Sequence, residues 1–264
     1  VLINHGLTPQ EIFFYRFLIA YIGIWAISPK HLFADNLKDE LWLVAGGVFG
    51  GSLYFFTENT ALGITQASNV AFIICTAPLL TTILSLLFYK SEKATKGLIY
   101  GSLLALIGVG LVVFNGSVVL KLSPVGDLLT LLAALSWAFY SLVIKRMTGR
   151  YPTVFITRKI FFYGVLTILP AFLLHPLQPD FDVLLQPLVL SNLLFLAVLA
   201  SLICYILWNV VLKQLGTMRA SNYIYLNPLV TMVASVLILH EQITWITLMG
   251  AACIILGVYL AEKK

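Results

Sequence analysis

ALGITQASN at residues 61–69 returns as QLGTMRASN at residues 214–222, with five of the nine positions identical at an offset of 153. The echo continues downstream. Pro78 is answered by Pro228, Glu92 by Glu241, Gly101 by Gly250 and Gly108 by Gly257, the last three at an offset of 149. In each copy an apolar segment leads to Ala-Ser-Asn and then to a proline inside an apolar run. A loop carrying Glu follows, and after it a segment with glycines seven apart. Two weakly similar hydrophobic halves in one chain form the pattern of membrane carriers built from internal repeats.

Composition agrees. The 264 residues are 60% hydrophobic and 10% charged, against roughly 25% charged in a soluble globular domain. Charge-free runs of about 17–25 residues recur, the length a helix needs to cross about 30 Å of hydrocarbon. Nine spans are predicted, near 11–28, 40–63, 66–89, 97–114, 125–145, 153–174, 188–212, 220–239 and 244–261. They are too long for barrel strands and lack the period of two. The fold class is therefore all-α and polytopic, and the lipid bilayer is the first partner.

Several function classes are set aside. Cys75, Cys204 and Cys253 lie in apolar runs without a CxxC pattern, and His5, His31, His175 and His240 are scattered over four loops. Neither set forms a metal site, and no cofactor is expected. The net charge of +5 comes from short loops between spans, not from a nucleic-acid-binding face. No GxxxxGK[ST] phosphate loop is present. Ser52 in GGSLY lacks a nucleophile elbow, so an enzyme is not expected.

The segment 1–17 resembles 143–159, Pro9 echoing Pro152 and Arg16 echoing Arg158. A full span precedes Pro152 but only eight residues precede Pro9. The difference, about 19 residues, is one transmembrane helix. The expectation is ten helices in two repeats of five, 1–116 and 124–264, with Val1–Asn4 a stub of the first. If that helix runs from inside to outside, 12 Lys and Arg fall in inside loops and only Lys121 outside, as the positive-inside rule requires. Equivalent loops exchange their charge. The loop at 63–66 has no basic residue while its echo holds Lys213 and Arg219, and the lysines at 90–96 have no echo at 240–243. An odd number of spans per repeat thus predicts inverted repeats, with the C-terminus cytoplasmic.

Pro78 and Pro228 each remove a helical hydrogen bond, freeing the carbonyls of Ile74 and Ile224, and are the expected hinges. Glu58, next to Asn59 in YFFTENTALG, is an acid inside a span, where charge is costly and defaults to function. Arg16 lies at similar depth on the neighbouring span. The two are expected either as a structural charge pair or as a substrate or proton site. Arg158 and Lys159 face no such carboxylate and are expected to snorkel to the membrane surface. Trp137 and Tyr140 share one helix face, as do Tyr205 and Asn209. With Tyr225 and Asn227 they are the candidate lining of a substrate pocket, apolar with a few placed polar groups. The GxxxG patterns in Gly46–Gly51 and at Gly97/Gly101 read as close helix packing.

Taken together, Ala67-Ser68-Asn69, Pro78, Glu92 and Gly108, their counterparts Ala220-Ser221-Asn222, Pro228, Glu241 and Gly257, and Gly126-Asp127-Leu128-Leu129 leading to Ser136-Trp137-Ala138, resemble the EamA type of the drug/metabolite transporter superfamily. The resemblance covers essentially the whole chain apart from the first helix. It implies a plasma-membrane (bacterial inner-membrane) carrier, commonly an exporter of amino acids or related small metabolites. It also implies a central cavity between the repeats and alternating access; a homodimer is compatible with it. The alternative is a non-transporting membrane protein, such as a lipid-carrier flippase subunit or a scaffold.

Overall fold

The structure, a computed structural model, describes residues 2–28, 32–89, 93–114, 123–173, 176–177, 180–239 and 244–263. Glu92 and Glu241, the loop acids of the repeat, lie outside them, as do Lys30, Lys90, Lys121, Lys264, His31, His175 and His240.

Every element among the described residues is helical. In chain order they are α1 (Pro9–Ile27), α2 (Leu37–Gly47), α3 (Leu53–Ile64), α4 (Ala67–Ile74), α5 (Ala77–Phe88), α6 (Lys96–Phe114), α7 (Pro124–Thr148) and α8 (Thr153–Ile168). There follow α9 (Phe181–Leu184), α10 (Pro187–Leu194), α11 (Cys204–Leu215), α12 (Thr217–Asn222), α13 (Asn227–Leu239) and α14 (Trp245–Glu262). Several join end to end, so the helical stretches match the spans expected from sequence to within three residues at each end. Among the described residues, seven stretches are long and apolar enough to cross a membrane. The helix starts follow local chemistry. At α1, Thr8 and Glu11 form a capping box, with Thr8 N donating to Glu11 Oε2 at 2.9 Å and Pro9 at the first helical position, where proline costs nothing.

The joins are where the sequence bends the rules. Val48–Ser52 between α2 and α3, and Phe195–Ile203 between α10 and α11, are π-helical. Before the two prolines the helix does not merely kink; it stops. α4 ends at Ile74, and Thr76 turns back to Ile73 O through both its backbone N (2.9 Å) and its Oγ1 (2.7 Å). In the other copy a 3-10 turn, Tyr223–Leu226, separates α12 from α13. Pro78 and Pro228 then stand at the second residue of a fresh helix. The expected mid-helix kink is thus a break. The reason is steric: proline's ring and missing N–H are tolerated in the first turn of a helix and not in its interior.

The chain forms two compact units, each drawing on both halves of the sequence. One comprises 1–59 and 139–214, the other 60–138 and 215–264.

In the first unit α1 packs against α8. Phe14 meets Phe172, Phe17 meets Phe161 and Tyr21 meets Phe162, with ring centroids 5.6, 5.1 and 5.6 Å apart. Gly164 faces Phe13 and Phe17, whereas Arg158, earlier on α8, reaches Ser28 just past the end of α1, so the two run antiparallel. In the second unit α6 and α14 also run antiparallel, at backbone contact. A Cβ added at Gly101 would lie 2.4 Å from Gly257 O, and one at Gly257 would lie 2.5 Å from Gly101 O. Gly108 and Gly250 repeat the exchange, at 2.6 and 2.8 Å from each other's carbonyl oxygen. Only glycine permits that approach, the use of small residues between membrane helices that draws backbones together. Around it Cys75, Ala105, Val109, Tyr225, Ile254 and Val258 form a buried core.

Gly101→Val and Gly257→Val should therefore each cost about 1–3 kcal/mol or more through overpacking, read as a lower melting temperature and less monodisperse protein in detergent. Gly63→Ala, at a site with nothing within 4 Å of the added Cβ, should leave both unchanged.

Candidate functional site

The interior of the first unit is polar along its length, in two clusters with an aromatic layer between. At one end the first turn of α2 carries Asp39 and Glu40. Asn36 caps the helix, its Oδ1 accepting from Asp39 N at 2.8 Å. Asp39, 1% exposed, accepts from Arg150 Nη1 at 2.8 Å and from Tyr151 Oη at 3.1 Å. Burial by itself would raise the Asp39 carboxyl; hydrogen bonds from Arg150, Asn36 and Tyr151 outweigh it and hold the group below the ordinary carboxylate range. Glu40 pairs with Lys159 and accepts from Tyr163 Oη, while Arg158 donates to the carbonyl of Ser28.

The expected snorkelling of Arg158 and Lys159 is therefore overturned. They are 2% and 3% exposed, and a membrane cation with a carboxylate in reach has no reason to stretch for the surface. The signal lies in the sequence: Asp39 and Glu40 directly follow Lys38 at the start of a span, two acids placed to meet buried cations.

The middle layer gathers three of the candidate pocket residues. α7 supplies Tyr140, and α11 supplies Tyr205 and Asn209 one turn apart. Tyr140 Oη donates to Asn209 Oδ1 at 2.7 Å, Asn209 Nδ2 donates to Thr157 Oγ1 at 2.9 Å, and Thr157 Oγ1 donates to Thr153 O at 2.9 Å. Tyr205 Oη donates to the carbonyl of Gly50, within the π-helical turn, and the Tyr140 ring lies where a Cβ on Gly50 would be, 2.2 Å away. The Gly46–Gly51 run thus does more than bring helices close. It gives Tyr140 its place and exposes a carbonyl to Tyr205. Phe17 and Phe161 pack on Tyr205 with centroids at 5.7 and 5.4 Å.

Arg16 and Glu58 lie beside this layer. Glu58 accepts from Tyr54 Oη at 3.0 Å, one turn earlier on α3. Arg16 Nε donates to Ser201 Oγ at 2.8 Å, and its guanidinium lies 4.5 Å from the Phe55 ring centroid. Each senses the other's charge, yet among the described residues they make no ion pair within 4.0 Å. Ser201, which sequence reasoning passed over, is fully buried in the π-helical stretch.

Trp137, Tyr225 and Asn227 belong to the second unit. Trp137 is half-buried on α7, Tyr225 is fully enclosed in the core and Asn227 is exposed at the start of α13. The asparagines of the Ala-Ser-Asn repeats are interior: Asn69 and Asn222 are 2% and 0% exposed, and Ser102 Oγ donates to Asn222 Oδ1 at 2.9 Å. A cavity of about 440 Å³ opens elsewhere in the first unit, lined by His5, Thr8, Glu11, Tyr15 and Asp180 among others, and contains none of the residues anticipated from sequence.

The EamA-like transporter family matches residues 2–114 and 124–262. An uncharacterized transporter of Archaeoglobus fulgidus is 28% identical over 98% of this chain and 89% of its own length. A protein of Salmonella typhimurium named as a probable amino-acid metabolite efflux pump is 26% identical over 97% of this chain and 86% of its own. Among solved structures, one crystal structure superposes with a TM-score of 0.80 at 17% identity, covering 97% of this chain and 89% of that one; at that identity the likeness is one of fold.

Removing one partner of a buried ion pair strands the other, at about 3–5 kcal/mol. Glu40→Gln should accordingly lower the melting temperature sharply, and the double change Glu40→Gln/Lys159→Met should recover most of the loss. The depressed Asp39 carboxyl acts through pH. Its stabilisation is present above the unfolded-state value and lost as pH falls through the lower folded-state value. Wild-type stability should therefore drop on acidification below about pH 4, and the Asp39→Asn protein, already weakened, should show a shallower drop in a thermal-melt series.

Proposed function

Because the chain belongs to the EamA-like transporter family, we propose that it is a secondary carrier that exports amino acids or related small metabolites across the bacterial inner membrane by alternating access. The substrate class rests on the efflux-pump relative, which aligns over 97% of this chain. The geometry that favours a carrier is the pair of matched breaks, where α4 and α12 each end shortly before a fresh helix with proline at its second residue. A broken helix at membrane depth leaves unpaired backbone groups and is kept where it lines a path or flexes. Pro78 and Pro228 are the hinges in this reading.

The repeats 1–116 and 124–264 are related by a two-fold axis in the membrane plane. The antiparallel pairings of α1 with α8 and of α6 with α14 support this, as does the exchange of basic loops. The count of Lys and Arg supports a cytoplasmic C-terminus. Tyr140, Tyr205 and Asn209 are the substrate-facing polar groups, the bond of Tyr140 to Asn209 and that of Tyr205 to the Gly50 carbonyl being what a bound metabolite would replace. The activity involves no covalent chemistry.

The test compares the metabolites released by cells with and without the protein. A small amino-acid-like compound should accumulate in the medium only with it; an unchanged profile in every compound class would overturn the proposal. With that compound in hand, Asn209→Ala should reduce transport about tenfold, the worth of one or two hydrogen bonds, without reducing the amount of folded protein.

A further inference from the structure

We propose that Arg16 and Glu58 together form the recognition site for a small zwitterion, Arg16 taking its carboxylate and Glu58 its ammonium group. This rests on the reading of the protein as a carrier of amino acids or related compounds and adds the charges its substrate must bear.

Arginine carries five N–H donors in a planar fork and no acceptor. Among the described residues Arg16 uses one of them, Nε to Ser201 Oγ at 2.8 Å. The guanidinium lies 4.5 Å from the Phe55 centroid and 5.9 Å from that of Phe17. One hydrogen bond and two rings fix its plane and leave both terminal nitrogens available, the arrangement that grips a carboxylate with two parallel bonds. The side chain is mostly buried, yet neither terminal nitrogen is among the buried polar atoms that lack a partner, so both remain within reach of a ligand.

Glu58 complements it. Tyr54 occupies Oε1 at 3.0 Å, and among the described residues nothing occupies Oε2. A structural bridge would close the gap between the two charges, as Glu40 and Lys159 do within the same unit. Here, among the described residues, the two opposite charges form no ion pair within 4.0 Å. A molecule with one negative and one positive group would satisfy both.

Two further observations agree. Ser201, which orients Arg16, lies in the π-helical stretch Phe195–Ile203, and such stretches in otherwise α-helical segments occur frequently at functional sites. The other half of the chain echoes the Tyr54–Glu58 spacing as Tyr205–Asn209 but without the charge, so the chain builds this constellation once. The rings of Phe13, Phe17 and Phe55, with centroids 4.2–5.7 Å apart, favour an apolar side chain on the zwitterion.

The experiment uses the full chain in lipid nanodiscs and measures binding of the common L-amino acids, their carboxamides and their N-acetyl derivatives. At least one apolar amino acid should bind, and about tenfold or more tighter than its carboxamide, which cannot accept a charged fork. Arg16→Gln should bring acid and carboxamide to within about twofold, and Arg16→Lys, a point charge without the fork, should fall between. Glu58→Gln should remove the discrimination against the N-acetyl form and leave that against the carboxamide. Ser201→Ala, a milder change than either, should weaken the acid preference in a protein whose folding is undisturbed.

Equal binding of acid and carboxamide by the wild type, an acid preference that survives Arg16→Gln, or no binding by any member of the panel would each overturn the inference. Its failure is separable from failure of the carrier reading. Cells that release an amine or a sugar through this protein would keep the carrier and sink the zwitterion site, whereas an unchanged release profile would sink the carrier itself.

Discussion

Hydrocarbon offers no hydrogen bonds, so a backbone that crosses it must satisfy every N–H and C=O internally. That constraint explains why every described element is a helix, and it turns each departure from α geometry into a cost that something must offset. The departures here are few and sit where polar side chains collect. The π-helical turn at Val48–Ser52 frees the Gly50 carbonyl, and Tyr205 donates to it. The break after Ile74 is closed by Thr76 reaching back to Ile73. The stretch at Phe195–Ile203 carries Ser201, which holds Arg16. Irregular backbone and polar side chain are two halves of one solution.

The spans were legible in the sequence because their signal is one of composition and length, and lipid enforces both. Span ends moved by up to three residues, since the caps that fix them, such as Thr8 with Glu11 and Asn36 with Asp39, lie just outside the apolar runs. The prolines were legible as interruptions but not as breaks. Proline announces that the hydrogen-bond ladder fails; it does not say whether the chain bends or starts afresh.

The polar interior was legible one face at a time. Tyr205 and Asn209 were paired by their spacing of four, and Tyr140 by its distance from Trp137, but that Tyr140 donates to Asn209 depends on a sequence separation no periodicity encodes. Arg158 and Lys159 show the opposite error. Their neighbours along the chain gave no counter-charge; that of Lys159 is Glu40 on α2, more than a hundred residues earlier, and Arg158 takes the Ser28 carbonyl. Glycine had a similar double life. The runs were visible as close-packing motifs, whereas Gly50 seats a tyrosine ring and Gly101 with Gly257 seat each other's backbone.

The interleaving of the two units has a consequence for how the protein is made. A chain that enters the membrane from its N-terminus delivers α1, α2 and α3 long before α8 and α11 exist. Arg16 must wait for Ser201, 185 residues later, and Glu40 for Tyr163, 123 residues later. Until then each charge is in the bilayer, or at its edge, without its final partner. Insertion scales put that cost at roughly 2.5–3.5 kcal/mol for a charge at mid-helix, a debt the growing chain settles with interfacial water and phospholipid headgroups. The first unit cannot close until residue 214 has been made, so the early helices wait as separate spans and assemble late. Synthesis and assembly are thus two stages, and the protein's most charged interior belongs to the second.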